Sequence, residues 1–350
     1  MADTPSLPQH GESAPVMVAP TSTDEGSGLS LGKQLLRPRT LISFAISFAI
    51  IAYIFAQQDI PFTQVWANMR QANPLLYLLG LLAYYSTFIV RTLRWKQVLS
   101  NVGYERETPP TPTLLRIIFL SWFANSVLPA KLGDGYRGFL LKRNANVSFS
   151  KTMGTILAER IADVGALFSL LLVSGLLAFR EKLPPNFGTL IAFGAGLAIL
   201  SISGLFVLRY IGSWVARVLP VRVRPYYERM EQGVLLAYRR RPAWILLLTA
   251  LIWILESTRL WFVCAALGVG FALPGDLPLV IFIALAASLL TTVPFTPAGL
   301  GVVEAAIVTV LLPVINDAGL AGSVALLDRT ITYWSLVLFG AVVYLFSGHK

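Results

Sequence analysis

Residues 125–143 read NSVLPAKLGDGYRGFLLKR, and the reading of this stretch decides the fold. Pro129 and Gly133 interrupt an apolar run here, and Lys131, Asp134 and Arg137 crowd into the next two helical turns. The interruption recurs. Pro129-Ala130-Lys131-Leu132-Gly133 returns 168 residues later as Pro297-Ala298-Gly299-Leu300-Gly301, identical at four of five positions. Each copy follows an apolar run that carries hydroxyl side chains, IIFLSWFANSVL and ALAASLLTTVPFT, and precedes an apolar segment holding one arginine, Arg160 or Arg329. Two halves built around paired breaks are the simplest reading. Irregular backbone survives at membrane depth only where it is buried in protein or lines a wet cavity, so a repeated Pro/Gly break points to a binding site. A plain kink or close helix packing is the alternative for the same residues.

The solvent follows from composition. A chain of 350 residues that is 55% hydrophobic and 13% charged, with mean hydropathy +0.68, is too apolar for a soluble domain of this length. A net charge of +10 would suggest nucleic acid in a soluble protein. Here the basic residues flank hydrophobic segments, so anionic inner-leaflet lipids are the expected partners and nucleic acid is not. Cys264 lies in an apolar segment, and His10 and His349 stand at the two ends, so Cys and His can assemble no metal site. The chain carries no P-loop and no dinucleotide fingerprint, and a Ser/His/Asp arrangement lacks its histidine. No cofactor, metal or catalytic motif is expected.

Taken in order, the sequence predicts an all-α integral membrane protein of about six transmembrane helices plus two re-entrant helical hairpins related as an inverted repeat. Residues 1–32 form a polar, Pro/Ser/Thr-rich tail expected to be disordered and cytoplasmic, and 33–350 form the membrane domain. Spans fall at 41–56, 75–90, 152–179, 190–208, 243–267 and 321–346, with hairpins at about 113–146 and 279–313. A short interfacial helix is expected around 62–69. The arginine-rich segment 209–241 reads either as a helix on the anionic inner leaflet or as a plain basic loop. Under this topology cytoplasmic segments hold 22 of the 28 Lys and Arg residues, Arg91 and Arg94 among them, and outer segments hold only Arg70, Arg180 and Lys182. Both termini are then cytoplasmic, and three spans between the hairpins make them face opposite leaflets.

An ionisable side chain at membrane depth costs about 2.5–3.5 kcal/mol on insertion scales, so each one needs a partner or a wet cavity. Glu159, Arg160 and Asp163 share one helical sector, and Glu256 and Arg259 repeat the i, i+3 spacing. Asp328 and Arg329 are adjacent and diverge by about 100°, which sends them to different neighbouring helices. Glu256 and Arg259 can satisfy each other. Asp134, Arg137, Arg160, Glu304 and Arg329 cluster at the breaks, where helix N-termini after Gly133 and Gly301 would turn free N–H groups towards a phosphate. The paired carboxylates Glu159 and Asp163 leave room for acid/base chemistry on a lipid phosphate as the alternative.

These residues together resemble a known family. Asn125, Pro129, Gly133-Asp134 and Arg137, then Glu159-Arg160 and Asp163, then Pro294, Pro297-Ala298-Gly299-Leu300-Gly301 and Glu304, and last Arg329 and Tyr333 resemble the flippase-like family named for the transmembrane region of lysylphosphatidylglycerol synthase. The resemblance runs from about residue 35 to the C-terminus. It implies movement of lipids between leaflets, with lysylphosphatidylglycerol, hopanoid or polyprenyl-linked glycolipids as the family's associations, in a bacterial inner membrane. It also implies that fourteen of them, Asn125, Pro129, Gly133, Asp134, Arg137, Glu159, Arg160, Asp163, Pro297, Gly299, Gly301, Glu304, Arg329 and Tyr333, bind substrate, and that a lipid-modifying enzyme is a partner. Ala298 departs from the family's usual glycine. No aminoacyl-transferase domain accompanies the membrane region, so a stand-alone flippase-type unit is expected and lysyl transfer is not.

Overall fold

A computed structural model describes residues 38–128, 131–179, 187–271, 275–290 and 297–347. The expected tail and Pro129 lie outside these residues, as does Pro294. Among the described residues the chain is helical throughout, with thirteen α-helices. They are α1 (Pro38–Gln57), α2 (Phe62–Gln71), α3 (Pro74–Asn101), α4 (Thr111–Val127), α5 (Leu132–Ala145), α6 (Phe149–Ala178) and α7 (Phe187–Val218), followed by α8 (Arg224–Leu236), α9 (Pro242–Ala266), α10 (Leu277–Leu290), α11 (Val302–Ile315), α12 (Ala318–Arg329) and α13 (Leu336–Phe346). A 3₁₀ turn at Pro297–Gly299 precedes α11, and a π-helical turn at Thr330–Ser335 joins α12 to α13.

Among the described residues four segments are long and apolar enough to cross a membrane: α3, α6, α9 and the continuous run Ala318–Phe346. A fifth is formed if α1 and α2, bent by 99°, count as one broken span. The bend has a chemical origin. Helix α2 carries Gln64, Asn68, Arg70 and Gln71 and buries only Val65, so it cannot continue the apolar path of α1. Helices α10 and α11 are apolar but too short to cross alone.

Local sequence sets the helix ends. Asn73 accepts the Leu75 N–H at 3.0 Å to start α3, Ser148 accepts from Lys151 to start α6, and Asp317 accepts from Leu320 at 2.8 Å to start α12. Helix α3 differs from expectation at its far end. The basic residues Arg91 and Arg94 do not belong to a loop; the helix runs on to Asn101 and buries both. Helix α7 continues to Val218, and α8 packs on α6, where a side chain on Gly154 would strike the backbone of Met230 and one on Gly233 the backbone of Lys151.

The same plan is laid down twice. Helix α3 packs along α9, and Asn73 N–H donates to the Ala266 carbonyl at 2.8 Å, so the start of one meets the end of the other. Helix α2 packs on α12 across Gly319 and Gly322, as α8 packs on α6 across Gly154. Each half thereby lends its second helix to the other half's last long one. Tyr77, Tyr84 and Tyr85 of α3 tie down the π-turn region through Thr330 (2.9 Å), the Thr332 carbonyl (3.1 Å) and Ser335 (2.8 Å).

Candidate functional site

The first break is built by α4, α5 and α6. Lys131 stands before α5 in a left-handed conformation (φ 53°), which an L-residue with a side chain adopts at a cost of about 1–2 kcal/mol. Asn125 on α4 secures the turn with both ends of its amide: Oδ1 accepts the Gly133 N–H at 2.8 Å and Nδ2 donates to Asp134 at 3.1 Å. Asp134 in turn receives Arg160 as a fork, Nε at 3.0 Å and Nη2 at 2.7 Å. Planar, two-point contact of this kind fixes the guanidinium in orientation as well as position.

The second break repeats the logic with different atoms. Ala298 (φ 47°) and Gly299 (φ 68°) are both left-handed, so the residue that departs from the family pattern sits where glycine would relieve strain. Gly299 matches Lys131 in the repeat, and the two share the backbone conformation. Gly301 (φ 87°) starts α11, and its N–H is taken by Glu304 Oε2 at 2.8 Å. The other carboxylate oxygen of Glu304 accepts Arg329 Nε at 3.1 Å, while Arg329 Nη2 donates to the Ala298 carbonyl at 3.1 Å. Tyr333 lies beneath, its ring 5.3 Å from the Arg329 guanidinium, on the π-turn that widens the helix at this point. The N–H groups of Gly133 and Gly301 are therefore bonded within the protein and are not free for a phosphate; short polar side chains one turn away reach them first.

The remaining charges form two buried networks. Arg94 bridges both α6 carboxylates, with Asp163 at 2.5 and 3.1 Å and Glu159 at 3.3 Å, and also donates to Thr249 of α9. Arg137 meets the other oxygen of Glu159 at 2.8 Å and stacks 3.8 Å from the Trp95 ring. Asp163 thus pairs with Arg94, and Arg160 turns away to Asp134. On the other side Arg259 contacts Asp328 and, at 3.4 Å, Glu256, which also accepts Arg91 at 3.2 Å. Glu256 and Arg259 are not a self-contained pair, and Asp328 and Arg329 reach different helices, α9 and α11, as their divergence requires. Arg91 and Arg94 escaped the sequence reading because charge counting placed them in a cytoplasmic loop. A signal existed: Arg94 and Asp163 precede Arg259 and Asp328 by the same 165 residues.

Between the two halves lies a cavity of about 1100 Å³, its open mouth included. Of the sequence-derived candidates, Asn125, Arg160, Gly299 and Arg329 line it. Gly133, Asp134, Arg137, Glu159, Asp163, Gly301, Glu304 and Tyr333 stand behind that wall and hold it; Pro297 belongs to the 3₁₀ turn beside it. Trp122 and Trp253, Lys131, Arg91 and the Glu256–Arg259–Asp328 group line it as well. The Arg160 side chain is 32% exposed and the Arg329 side chain 5%, so the first offers far more surface to a ligand. Among the described residues no group of three or more His, Cys, Asp or Glu side chains could hold a metal ion.

A helical membrane protein with a charged cavity lined by two repeated chain breaks is the class defined by this geometry. The chain belongs to the lysylphosphatidylglycerol synthase transmembrane region family, whose pattern matches residues 40–340. It is 33% identical over 222 residues to the UPF0104 membrane protein MJ1078 of Methanocaldococcus jannaschii, a match covering 63% of this chain and 93% of that protein. A UPF0104 membrane protein of Methanothermobacter thermautotrophicus is 26% identical over 298 residues, covering 77% and 83%. The glycosyltransferase AglD of Haloferax volcanii matches at 24% over 148 residues, 39% of this chain and 23% of that protein.

Proposed function

We propose that the protein moves a lipid with an anionic headgroup between the leaflets of the cytoplasmic membrane. One observation carries this reading: a single cavity draws Asn125 and Arg160 from the first break and Gly299 and Arg329 from the second. A site shared by both copies of a repeat is what alternating access requires, because rocking one half against the other opens it first to one side and then to the other. In the full topology proposed, six spans and two re-entrant hairpins at about 113–146 and 279–313 form an inverted repeat, with both chain ends in the cytoplasm. The headgroup meets Arg160 and Arg329, while Asp134 and Glu304 hold those arginines in place. Anionic inner-leaflet lipids surround the arginines of segment 209–241.

The test is reconstitution into liposomes carrying a headgroup-labelled anionic lipid, with leaflet exchange followed by quenching of the outer label. Arg160→Ala and Arg329→Ala are expected to slow exchange at least tenfold while the protein remains monodisperse in detergent. Exchange at the wild-type rate in both variants would overturn the site. A second reading, a membrane-embedded enzyme or accessory subunit in a lipid-modifying pathway, is favoured by the similarity to part of AglD. It calls for a lipid-modifying partner and predicts a lipid of altered mass after incubation, where translocation changes only the leaflet.

A further inference from the structure

The hydroxyls on the cavity wall are one-sided. A hydroxyl has one proton to donate and two lone pairs that accept. Ser126 donates its proton to the Trp122 carbonyl at 3.0 Å, Thr332 to the Asp328 carbonyl at 3.0 Å and Tyr84 to the Thr332 carbonyl at 3.1 Å. All three residues line the cavity, so each offers a ligand lone pairs and no proton. The carboxylates and the amide beside them are already engaged. Glu256 holds Arg91 and Arg259, Asp328 holds Arg259, and Asn125 uses both ends of its amide at the first break.

A second observation supplies the complement. Trp253 also lines the cavity, and its buried indole N–H, which can only donate, meets no acceptor among the described residues. A buried donor without an acceptor is costly, and a ligand atom that accepts from it removes the cost. The wall therefore suits a group that gives a proton to Ser126 or Thr332 and accepts one from Trp253. A hydroxyl does both. A methyl ester and a choline have no proton to give. An ammonium accepts nothing, and it would enter a space that the guanidiniums of Arg91, Arg160, Arg259 and Arg329 already line.

Resting on the lipid-translocation reading, we propose that the headgroup is a phosphodiester bearing an uncharged, hydroxylated group, and that Ser126 and Thr332 select it by accepting its hydroxyl protons. Arg160 takes the phosphate, and the Trp253 indole donates to a hydroxyl oxygen. Selection then rests on hydrogen-bond direction at one fixed charge.

The experiment is binding of lipids with matched chains to the full chain in detergent, read by native mass spectrometry. Phosphatidylglycerol and phosphatidylmethanol carry the same single negative charge and differ in their hydroxyls. The first is expected to bind about tenfold more tightly than the second, and than phosphatidylethanolamine. Ser126→Ala/Thr332→Val removes two acceptors whose own partners are helix carbonyls, so the fold stands. It should bring phosphatidylglycerol down to the affinity of phosphatidylmethanol and leave the latter unchanged, whereas Thr332→Ser, which keeps its acceptor, should keep the ranking. Equal binding of the two anionic lipids by the wild type would overturn the selection and leave lipid translocation standing. Equal weakening of both lipids in the double variant would also overturn it, reducing Ser126 and Thr332 to shaping the cavity. Retention of no lipid would overturn both readings. Water-soluble glycerophosphoglycerol binding as tightly as phosphatidylglycerol would keep the hydroxyl selection and overturn the lipid reading.

Discussion

At the scale of single residues, buried arginines divide into those that hold the protein together and those that face the cavity. Arg94 is 3% exposed and serves two carboxylates. Arg94→Ala strands Asp163 and leaves Glu159 with Arg137 alone, and uncompensated buried charge of this kind costs about 3–5 kcal/mol. A large drop in thermal midpoint is the expected outcome, partly recovered in Arg94→Ala/Asp163→Ala. Arg160→Ala leaves Asp134 with Asn125 and an open cavity, so its midpoint should move far less. Equal losses would erase the distinction between scaffold and site.

At the scale of elements, the breaks were legible because proline and left-handed positions announce themselves, whereas the partners that cross them were not. Pro/Gly spacing located α4, α5, α10 and α11 to within a few residues. The sequence could not show that Asn125 spends its amide on Gly133 and Asp134, since nothing in spacing says which side chain reaches a free N–H first. The misplacement of Arg91 and Arg94 has the same root: apolar length ends at Val90, yet the helix continues because carboxylates on α6 and α9 receive the two cations. The hairpin itself is set by close approach. A Cβ on Gly133 would run into the Ser121 carbonyl and Asn125, whereas one on Gly135 would meet open space. Gly133→Ala should force α4 from α5, cost about 1–3 kcal/mol and abolish lipid exchange. Gly135→Ala, two residues on, should be neutral or stabilise by up to about 1 kcal/mol. Thermal unfolding of the pair decides it, and identical behaviour would show that the hairpin is not packed as described.

At the scale of the whole molecule, the two halves touch along the α3–α9 seam and between α6 and α10, exchange α2 and α8, and part around the cavity. The seam is tight and charged: Arg91 reaches Glu256 and Arg94 reaches Thr249 across it. Relative motion of the halves should therefore pivot on α3 and α9 and be widest at the breaks, where α4 and α10 face each other across open space. Transport then depends on volume that no stability term protects. Ser288 on α10 lines that space, with its hydroxyl turned back to the Ala284 carbonyl at 2.8 Å. An indole there fills the cavity with apolar surface and leaves the seam and both ion networks untouched. Ser288→Trp should lower lipid exchange at least tenfold and release co-purifying lipid, with monodispersity and helical content unchanged. Ser288→Ala should exchange lipid at the wild-type rate. Full exchange by the tryptophan variant would mean that the lipid passes along another face of the bundle, and that the cavity shared by the two breaks is a product of duplication rather than the path.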